Sequence, residues 1–277
     1  VITLLDENMR VLGVPACPLG RPDICKIKEY MRYKMQQRIL KIVENKKLSE
    51  GIYRMRLAGD VSAVTAPGQF INIRLKGFFL RRPISICDLG EDELTIIYKI
   101  MGRGTAKLSE YEAGEELDVL VGLGNGYSLS EAGDEPLLIG GGVGIPPLYL
   151  LAKRLVSEGK KVKVLLGFNK AEDMFYVDEF SKLADELVIT TADGSYGIKG
   201  FVDKPIADIK HSYIYTCGPE AMLKSVYSAS PGSGQFSFEE RMGCGFGACM
   251  GCSCKTLTGN KRICKEGPVM RKEEILW

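Results

Sequence analysis

Four thiols near the end of the chain carry the clearest chemistry in the sequence. Cys244, Cys249 and Cys252 stand in a C-x4-C-x2-C run, and Cys264 follows Cys252 after eleven residues. That is the plant-type spacing for a 2Fe-2S cluster held by four thiolates. The residues between them suit the task. Gly243, Gly245, Gly247 and Gly251 let the loop wrap a bulky inorganic core, and glycine reaches the positive-φ conformations that turn successive N–H groups toward sulfur. Two other readings use the same thiols. Structural zinc usually pairs two C-x2-C knuckles, and only one is present here. Disulfides need an oxidising compartment, which nothing else suggests. Cys254, two residues past Cys252, reads as a small packed hydrophobe and not as a ligand.

Four further stretches have the chemistry of nucleotide sites. In Arg81-Arg82-Pro83-Ile84-Ser85 an arginine before a proline that begins a strand suits a diphosphate, and Ser85 adds a hydroxyl two residues on. In Gly102-Arg103-Gly104-Thr105 a glycine turn opens a helix over about residues 105–111, with Thr105 as its N-cap and free N–H groups facing outward. Gly140, Gly141, Gly142, Val143 and Gly144 follow an apolar strand and precede Ile145-Pro146-Pro147 and a helical run. Such a loop lets a pyrophosphate approach the helix N-terminus, although it is not a strict G-x-G-x-x-G. Cys217-Gly218-Pro219 ends another strand. Cys217 is either a strand-end core thiol or a group beside a nicotinamide ring. His211, the only histidine, has no cysteine or carboxylate company and reads as structural or exposed. Hydride transfer needs no protein base, so its isolation removes nothing.

The elements that must position these residues emerge from periodicity. Ile71, Ile73 and Leu75 alternate with Asn72 and Arg74, and Leu94, Ile96, Tyr98 and Ile100 alternate with Thr95, Ile97 and Lys99. Such period-two runs mark half-buried strands. Six are expected, at about 37–45, 51–58, 69–76, 83–88, 93–101 and 116–122, which predicts a closed antiparallel Greek-key barrel. Beyond residue 130 strands and helices alternate, which predicts a parallel sheet whose ligand lies at the strands' carboxyl ends. Strands fall at 137–139, 162–168, 187–191 and 213–216. Helices start near Leu148, span residues 171–184 with Tyr176, Phe180 and Leu183 on one face, and start again near Met222. Asp193, in the turn after the third strand, is taken as a further cofactor contact. Glu172 and Asp173 suit a ribose hydroxyl, and Lys170 is the nearby cation for a 2′-phosphate.

Composition sets bounds. A length of 277 residues allows two domains with real cores, and 45% hydrophobic and 26% charged residues are ordinary for a globular protein. A net charge of +2 gives no reason to expect nucleic acid or an anionic membrane. No apolar run spans a membrane and no signal-peptide core leads the chain, so nine cysteines point to a reducing cytoplasm. The first thirty residues read as an appendage. A hairpin of residues 1–5 with 11–14 precedes Pro15, Pro18 and Pro22, Cys17 and Cys25 lack metal-like company, and Met31 is a more natural start for the barrel. The expected regions are an extension (1–32), a barrel for a flavin (33–130), a nucleotide-binding α/β domain (131–235) and a 2Fe-2S region (236–277).

In order along the chain, Arg82-Pro83-Ile84-Ser85, Gly104-Thr105, Gly122-Leu123-Gly124-Asn125-Gly126-Tyr127, residues 140–147, Cys217-Gly218-Pro219 and the four-cysteine tail with Lys265-Glu266-Gly267-Pro268 behind it resemble the electron-transfer subunits of NAD-linked dihydroorotate dehydrogenase. These belong to the ferredoxin-reductase-like superfamily, and the likeness covers about residues 33–270. It implies that Arg82, Pro83, Ile84, Ser85, Ile97, Tyr98, Lys99, Gly104 and Thr105 bind FAD. It implies that residues 140–144 with Cys217, Gly218 and Pro219 meet NAD, and that Cys244, Cys249, Cys252 and Cys264 ligate the cluster. It also implies a partner subunit carrying FMN, which oxidises dihydroorotate, in a heterotetramer with two of each chain. Nicotinamide exchanges a hydride and a cluster one electron, and FAD does both, so FAD sits between them. Three features depart from the pattern. Ile84 stands where the wider superfamily has an aromatic residue, the spacer before Cys264 is short, and the leading thirty residues have no counterpart. Small subunits of ferredoxin:NAD(P) oxidoreductases and sulfide dehydrogenases keep the same cofactors with another partner. Some of these replace one cysteine by aspartate, which the four cysteines here do not. A zinc-stabilised interaction module on a nucleotide-binding domain is the reading from another class.

Overall fold

The computed structural model describes residues 35–277, together with two short strands of the leading segment, β1 (Leu4–Leu5) and β2 (Val11–Leu12). These pair antiparallel, Leu4 opposite Leu12, as the expected hairpin would. Cys17, Cys25 and the three prolines lie outside the described residues.

Six strands, β3 (Gln36–Ser49), β4 (Ile52–Ala58), β5 (Phe70–Ile73), β6 (Arg82–Leu89), β7 (Glu93–Lys99) and β8 (Glu116–Leu123), close a barrel in the order β3-β4-β7-β6-β5-β8. Alternation fills its interior with Leu40, Ile42, Met55, Leu57, Ile71, Ile73, Ile86, Ile96 and Tyr98. The one polar group brought in is partnered. Tyr98 donates its hydroxyl hydrogen to Asn45 Oδ1 at 2.9 Å, and Asn45 Nδ2 donates to the carbonyls of Leu108 and Tyr111 at 3.1 and 2.8 Å. That amide ties the end of helix α1 (Arg103–Ser109) to the barrel.

Helix α1 begins two residues before its expected start. Gly102 is its N-cap, and Thr105 lies inside the first turn. The Thr105 hydroxyl accepts from the Met101 N–H at 2.9 Å and donates back to the Gly102 carbonyl at 3.2 Å, so it closes the turn from within.

The second layer is a seven-stranded sheet. Its strands are β9 (Pro136–Gly141), β10 (Lys163–Phe168), β11 (Glu186–Thr191), β12 (Ile198–Lys199), β13 (Tyr213–Cys217), β14 (Gly234–Ser237) and, from the far end of the chain, β17 (Val269–Arg271). The order is β12-β11-β10-β9-β13-β14-β17, parallel except for the last pair. The chain runs outward from β9 to β12 and then returns to the other side of β9 at β13, which makes the β9/β13 crevice the topological switch point. Helix α2 (Pro146–Ser157) covers one face. Gly159, at φ 77°, ends that helix with its N–H on the Val156 carbonyl. Helix α4 (Glu220–Ala229) packs in the core on the other face.

Between β10 and β11 the expected single helix is instead two short pieces: a 3-10 turn over Ala171–Asp173 and helix α3 (Val177–Ser181). Tyr176 separates them with φ 62°, a left-handed conformation that no continuous helix can contain. The cysteine segment leaves the sheet after β14, forms a hairpin of β15 (Ser253–Thr256) and β16 (Gly259–Arg262), and returns as β17. Among the described residues, no helix is long and apolar enough to cross a membrane.

Candidate redox site

The four cysteines meet in the returning segment. Burial works to raise the Cys244 thiol, but N–H donors and the neighbouring Cys249 thiol overcome it and hold Cys244 at about 6. The Cys244 sulfur accepts N–H groups from Phe246, Ala248 and Cys249 at 3.5, 3.3 and 3.4 Å. The Cys249 sulfur accepts from Cys244 and Gly251 at 3.4 and 3.5 Å, and the Cys252 sulfur from Cys264 at 3.4 Å. Burial, with Cys252 against it, pushes the Cys264 thiol up to about 12. Backbone N–H contacts to sulfur thus join Cys244 with Cys249 and Cys264 with Cys252. Two thiols per iron is what a binuclear cluster needs, and N–H donors aimed at sulfur offset its negative charge. The donor set fits a 2Fe-2S cluster.

The pairs differ in exposure. Cys252 and Cys264 are buried among Phe70, Leu120 and Leu123 of the barrel wall, whereas Cys249 is exposed. Half-buried Cys244 and exposed Cys249 border a cavity of about 430 Å³ that also touches Phe79, Leu80 and Phe246. Cys254 lies on β15, half-buried against the apolar core, with Lys261 opposite it. Glycine is needed where backbone direction matters: Gly245 and Gly247 have φ 80° and 89°. Arg262 fixes the loop from behind. Its Nη1 donates to the Gly247 carbonyl at 2.6 Å and its Nε to Glu266 at 2.8 Å. That hydrogen bond holds the Glu266 carboxyl at about 2.

The flavin-type stretch lies on the outer wall of the barrel. Arg82, Pro83, Ile84 and Ser85 form a half-buried run on β6, in contrast to the wholly buried β5 beside it. The two arginines have separated roles. Arg81 is bound to Asp118 at 2.9 Å and donates to the carbonyls of Asn72 and Asp118, so it serves the barrel. Arg82 lies against Gly104, where a Cβ would strike its guanidinium, and over the Phe78 ring at 4.9 Å. Two motifs far apart in sequence, the arginine-proline strand and the Gly104-Thr105 turn, are thus in contact. Ile97 is buried and Lys99 exposed. The Tyr98 side chain is spent inside the barrel, which leaves its backbone as the part open to a ligand.

At the switch point, the glycines after β9 serve two purposes. A Cβ on Gly140 would lie 2.9 Å from Ile145, one on Gly141 would strike Met222, and one on Gly144 would strike the Cys217 carbonyl. These three permit close chain approach. Gly142, at φ 53°, faces open space, and Val143 beside it is exposed. Pro146 and Pro147 have no N–H, so the free donors come from this turn and not from the helix. Cys217 sits opposite Gly140 in the sheet, and Gly218 packs on Met222 at 2.5 Å from where its Cβ would be. Burial pushes the Cys217 thiol up to about 12, against a hydrogen bond with Ser237, so at neutral pH it is a neutral thiol and not a nucleophile. Asp193 accepts from the Ser195 N–H and hydroxyl at 2.9 and 2.7 Å, which lowers its carboxyl and shapes the turn after β11. His211 Nδ1 sits 2.7 Å from the Ile209 carbonyl, a structural contact.

Asn72, and Asn125 within the glycine stretch after β8, have no role assigned by the sequence but bind these regions together. Asn125 donates its N–H to the Gly267 carbonyl at 2.7 Å and its Nδ2 to Glu266 and Val269 carbonyls, and accepts the Val269 N–H at 3.1 Å. The turn after β8 is thereby locked to the tail of the cysteine segment.

Comparison with known proteins agrees with this arrangement. Residues 239–276 match the family model for the iron-sulfur cluster binding domain of dihydroorotate dehydrogenase B, and residues 138–228 match the oxidoreductase NAD-binding domain. The dihydroorotate dehydrogenase B (NAD(+)) electron transfer subunit of Bacillus pumilus is 43% identical over 255 residues, covering 87% of this chain and 98% of that protein. The subunit of the same description from Fusobacterium nucleatum is 40% identical over 250 residues, covering 84% and 96%. A solved structure described as NADH-dependent reduced ferredoxin-NADP oxidoreductase superposes with a TM-score of 0.78 at 32% identity, over 86% of this chain and 90% of that one. The Neisseria gonorrhoeae ferredoxin NADP+ reductase superposes with a TM-score of 0.62 at 17% identity over 71% and 91%, which shows the shared fold. With cysteine pairs, barrel and switch-point crevice in one compact unit, and relatives matched nearly end to end, the chain belongs to the family of dihydroorotate dehydrogenase B electron transfer subunits.

Proposed function

We propose that this chain carries electrons from a catalytic partner subunit, through a 2Fe-2S cluster and FAD, to NAD+ in pyrimidine biosynthesis in the cytoplasm. The partner is read as an FMN subunit that oxidises dihydroorotate, two copies of each forming a heterotetramer. The observation that carries the reading is the meeting of four thiols in one segment, Cys244 and Cys249 bordering a surface cavity and Cys252 and Cys264 buried against the barrel that bears the arginine-proline strand. Bound there, FAD supplies the exchange of a hydride with nicotinamide and of single electrons with the cluster.

The chain's own residues divide the work. Cys244, Cys249, Cys252 and Cys264 hold the cluster, and the N–H groups of residues 244–251 offset its charge. Arg82 holds the FAD diphosphate beside Gly104 and Thr105, while Pro83, Ile84, Ser85 and the backbone of Ile97, Tyr98 and Lys99 run along the flavin. The N–H groups of Gly142, Val143 and Gly144 meet the NAD pyrophosphate, with Gly140 and Gly141 letting the strand end lie close. Cys217, Gly218 and Pro219 line the nicotinamide end of the crevice, where the neutral Cys217 thiol positions the ring and excludes water. Asp193 borders the adenosine side. The apolar mouth at Phe79, Leu80 and Phe246 suits a protein partner over Cys244 and Cys249. Glu172 and Asp173, in the turn after β10, suit the ribose hydroxyls of NAD.

The test is anaerobic reduction of the native chain, loaded with flavin and iron, by NADH with a dye acceptor. The expected result is bleaching of the flavin, a rhombic paramagnetic signal from the cluster, and faster turnover with NADH than with NADPH. A colourless, zinc-containing protein that NADH cannot reduce would refute the reading. Co-purification from the native host identifies the partner: a dihydroorotate-oxidising FMN protein is expected, and a ferredoxin-linked partner would move the chain to the neighbouring oxidoreductases.

A further inference from the structure

Asn72 stands on β5, and the strand's alternation separates two environments. Ile71 and Ile73 point into the barrel, while Phe70 points outward among Leu120, Leu123, Cys252 and Cys264. Asn72 shares the outward face with Phe70, yet it is only 1% exposed, because the cysteine loop covers it. Its Nδ2 donates to the Cys244 carbonyl at 3.2 Å, across 172 residues of sequence. A Cβ on Gly245, the next residue, would strike the same amide. Its Oδ1 is buried and has no partner among the described residues. A buried amide left half-satisfied in an apolar wall loses its hydration without full return, a cost that needs a reason in the site it touches.

The backbone of Asn72 is fixed independently. It pairs with Pro83 of the arginine-proline strand on one side and with Leu120 on the other, and Arg81 Nη1 donates to its carbonyl at 3.3 Å. One residue therefore touches both the strand assigned to the flavin and the peptide that follows the first cysteine.

We propose that Asn72 is a positioning residue for the cysteine loop. Its amide fixes the Cys244–Gly245 peptide so that the next N–H groups, those of Phe246, Ala248 and Cys249, face the Cys244 sulfur, and this raises the cluster's reduction potential. Its backbone sets how closely that loop approaches the flavin strand. The inference rests on the reading that these thiols hold a 2Fe-2S cluster. Hydrogen bonds to the sulfurs are among the levers that set such potentials, and the groups orienting the ligands act behind them.

The experiment is a redox titration of the full chain with its partner, followed by cluster absorbance and paramagnetic resonance, for Asn72→Asp and Asn72→Leu. Both should titrate at lower potential, with a severalfold lower reduced fraction at fixed poise and altered g-values. The Asp variant should move further, because its carboxylate repels the Cys244 carbonyl. Flavin content and the KM for NADH should stay within twofold of the parent. Unchanged potential and g-values in both variants would overturn the proposal. Asp is isosteric with Asn, so it remains informative if Leu does not fold. A parent with no iron and no rhombic signal would refute the cluster reading itself, whereas a normal parent cluster with unaffected variants would remove only the role of Asn72.

Discussion

Two glycine-rich stretches dominate the sequence, one after β9 and one around the cysteines. After β9, Gly140, Gly141 and Gly144 sit where a methyl group would collide with Ile145, Met222 and the Cys217 carbonyl. In the cysteine loop, a Cβ on Gly243 or Gly251 would meet only the Cys249 sulfur, at 3.1 and 3.5 Å, while Gly245 and Gly247 adopt positive φ and would meet only the side chains of Asn72, Lys265 and Arg262, never backbone. The first stretch needs small volume so that a helix and two strands can close on one another. The second needs freedom of backbone direction so that N–H groups turn inward. Similar composition thus answers to packing in one place and to electrostatics in the other.

The comparison can be broken most decisively at the thiols. Cys249→Ala removes the exposed member of the first pair and should reduce bound iron to under about a tenth of the parent's. NADH–dye activity through the flavin should survive while transfer to the partner is lost, as iron analysis and the two assays will read. Gly144→Ala comes next. The obstructing atoms are backbone, so overpacking should cost about 1–3 kcal/mol in denaturant unfolding, with the iron signal intact. Gly142→Ala sharpens the contrast between neighbours. With space around it and only φ 53° to strain, it should cost about 1 kcal/mol in stability. Its main effect should be a severalfold rise in the KM for NADH, without change in reduction by dithionite.

The smallest effect concerns Glu266. Arg262 lowers its folded value from 4.5 to about 2, so its contribution is complete above pH 4.5 and disappears as pH falls toward about 2. Glu266→Gln should flatten that part of the acid-unfolding curve by a few tenths of a kcal/mol to about 1 kcal/mol, since the pair is partly exposed.

The barrel was legible because its strands alternate cleanly, and the parallel sheet because each strand ends in a glycine-bearing turn. The break between β10 and β11 was not. Tyr176, Phe180 and Leu183 keep a helical spacing, and nothing in a tyrosine announces φ 62°. β14 and β17 were missed because they are four and three residues long and alternate with nothing. At the site, residue type and spacing pointed to the cysteines and both glycine-bearing loops as candidates. Asn72 read as the solvent-facing member of an alternating strand. Its burial depends on a loop 172 residues away, which no local pattern encodes. Arg81 and Arg82 are adjacent and chemically alike, and only the position of Asp118 separates their roles.

The cysteine segment starts from β14 and ends in β17, the antiparallel neighbour of that same strand, and the Phe238 N–H meets the Pro268 carbonyl where the two feet come together. The iron-bearing lobe is thus a handle riveted at both feet to one rim of the dinucleotide layer. Because Asn125 also pins its tail to the turn after β8, one short segment braces barrel and sheet together, and its thiols keep their places only while both layers keep theirs.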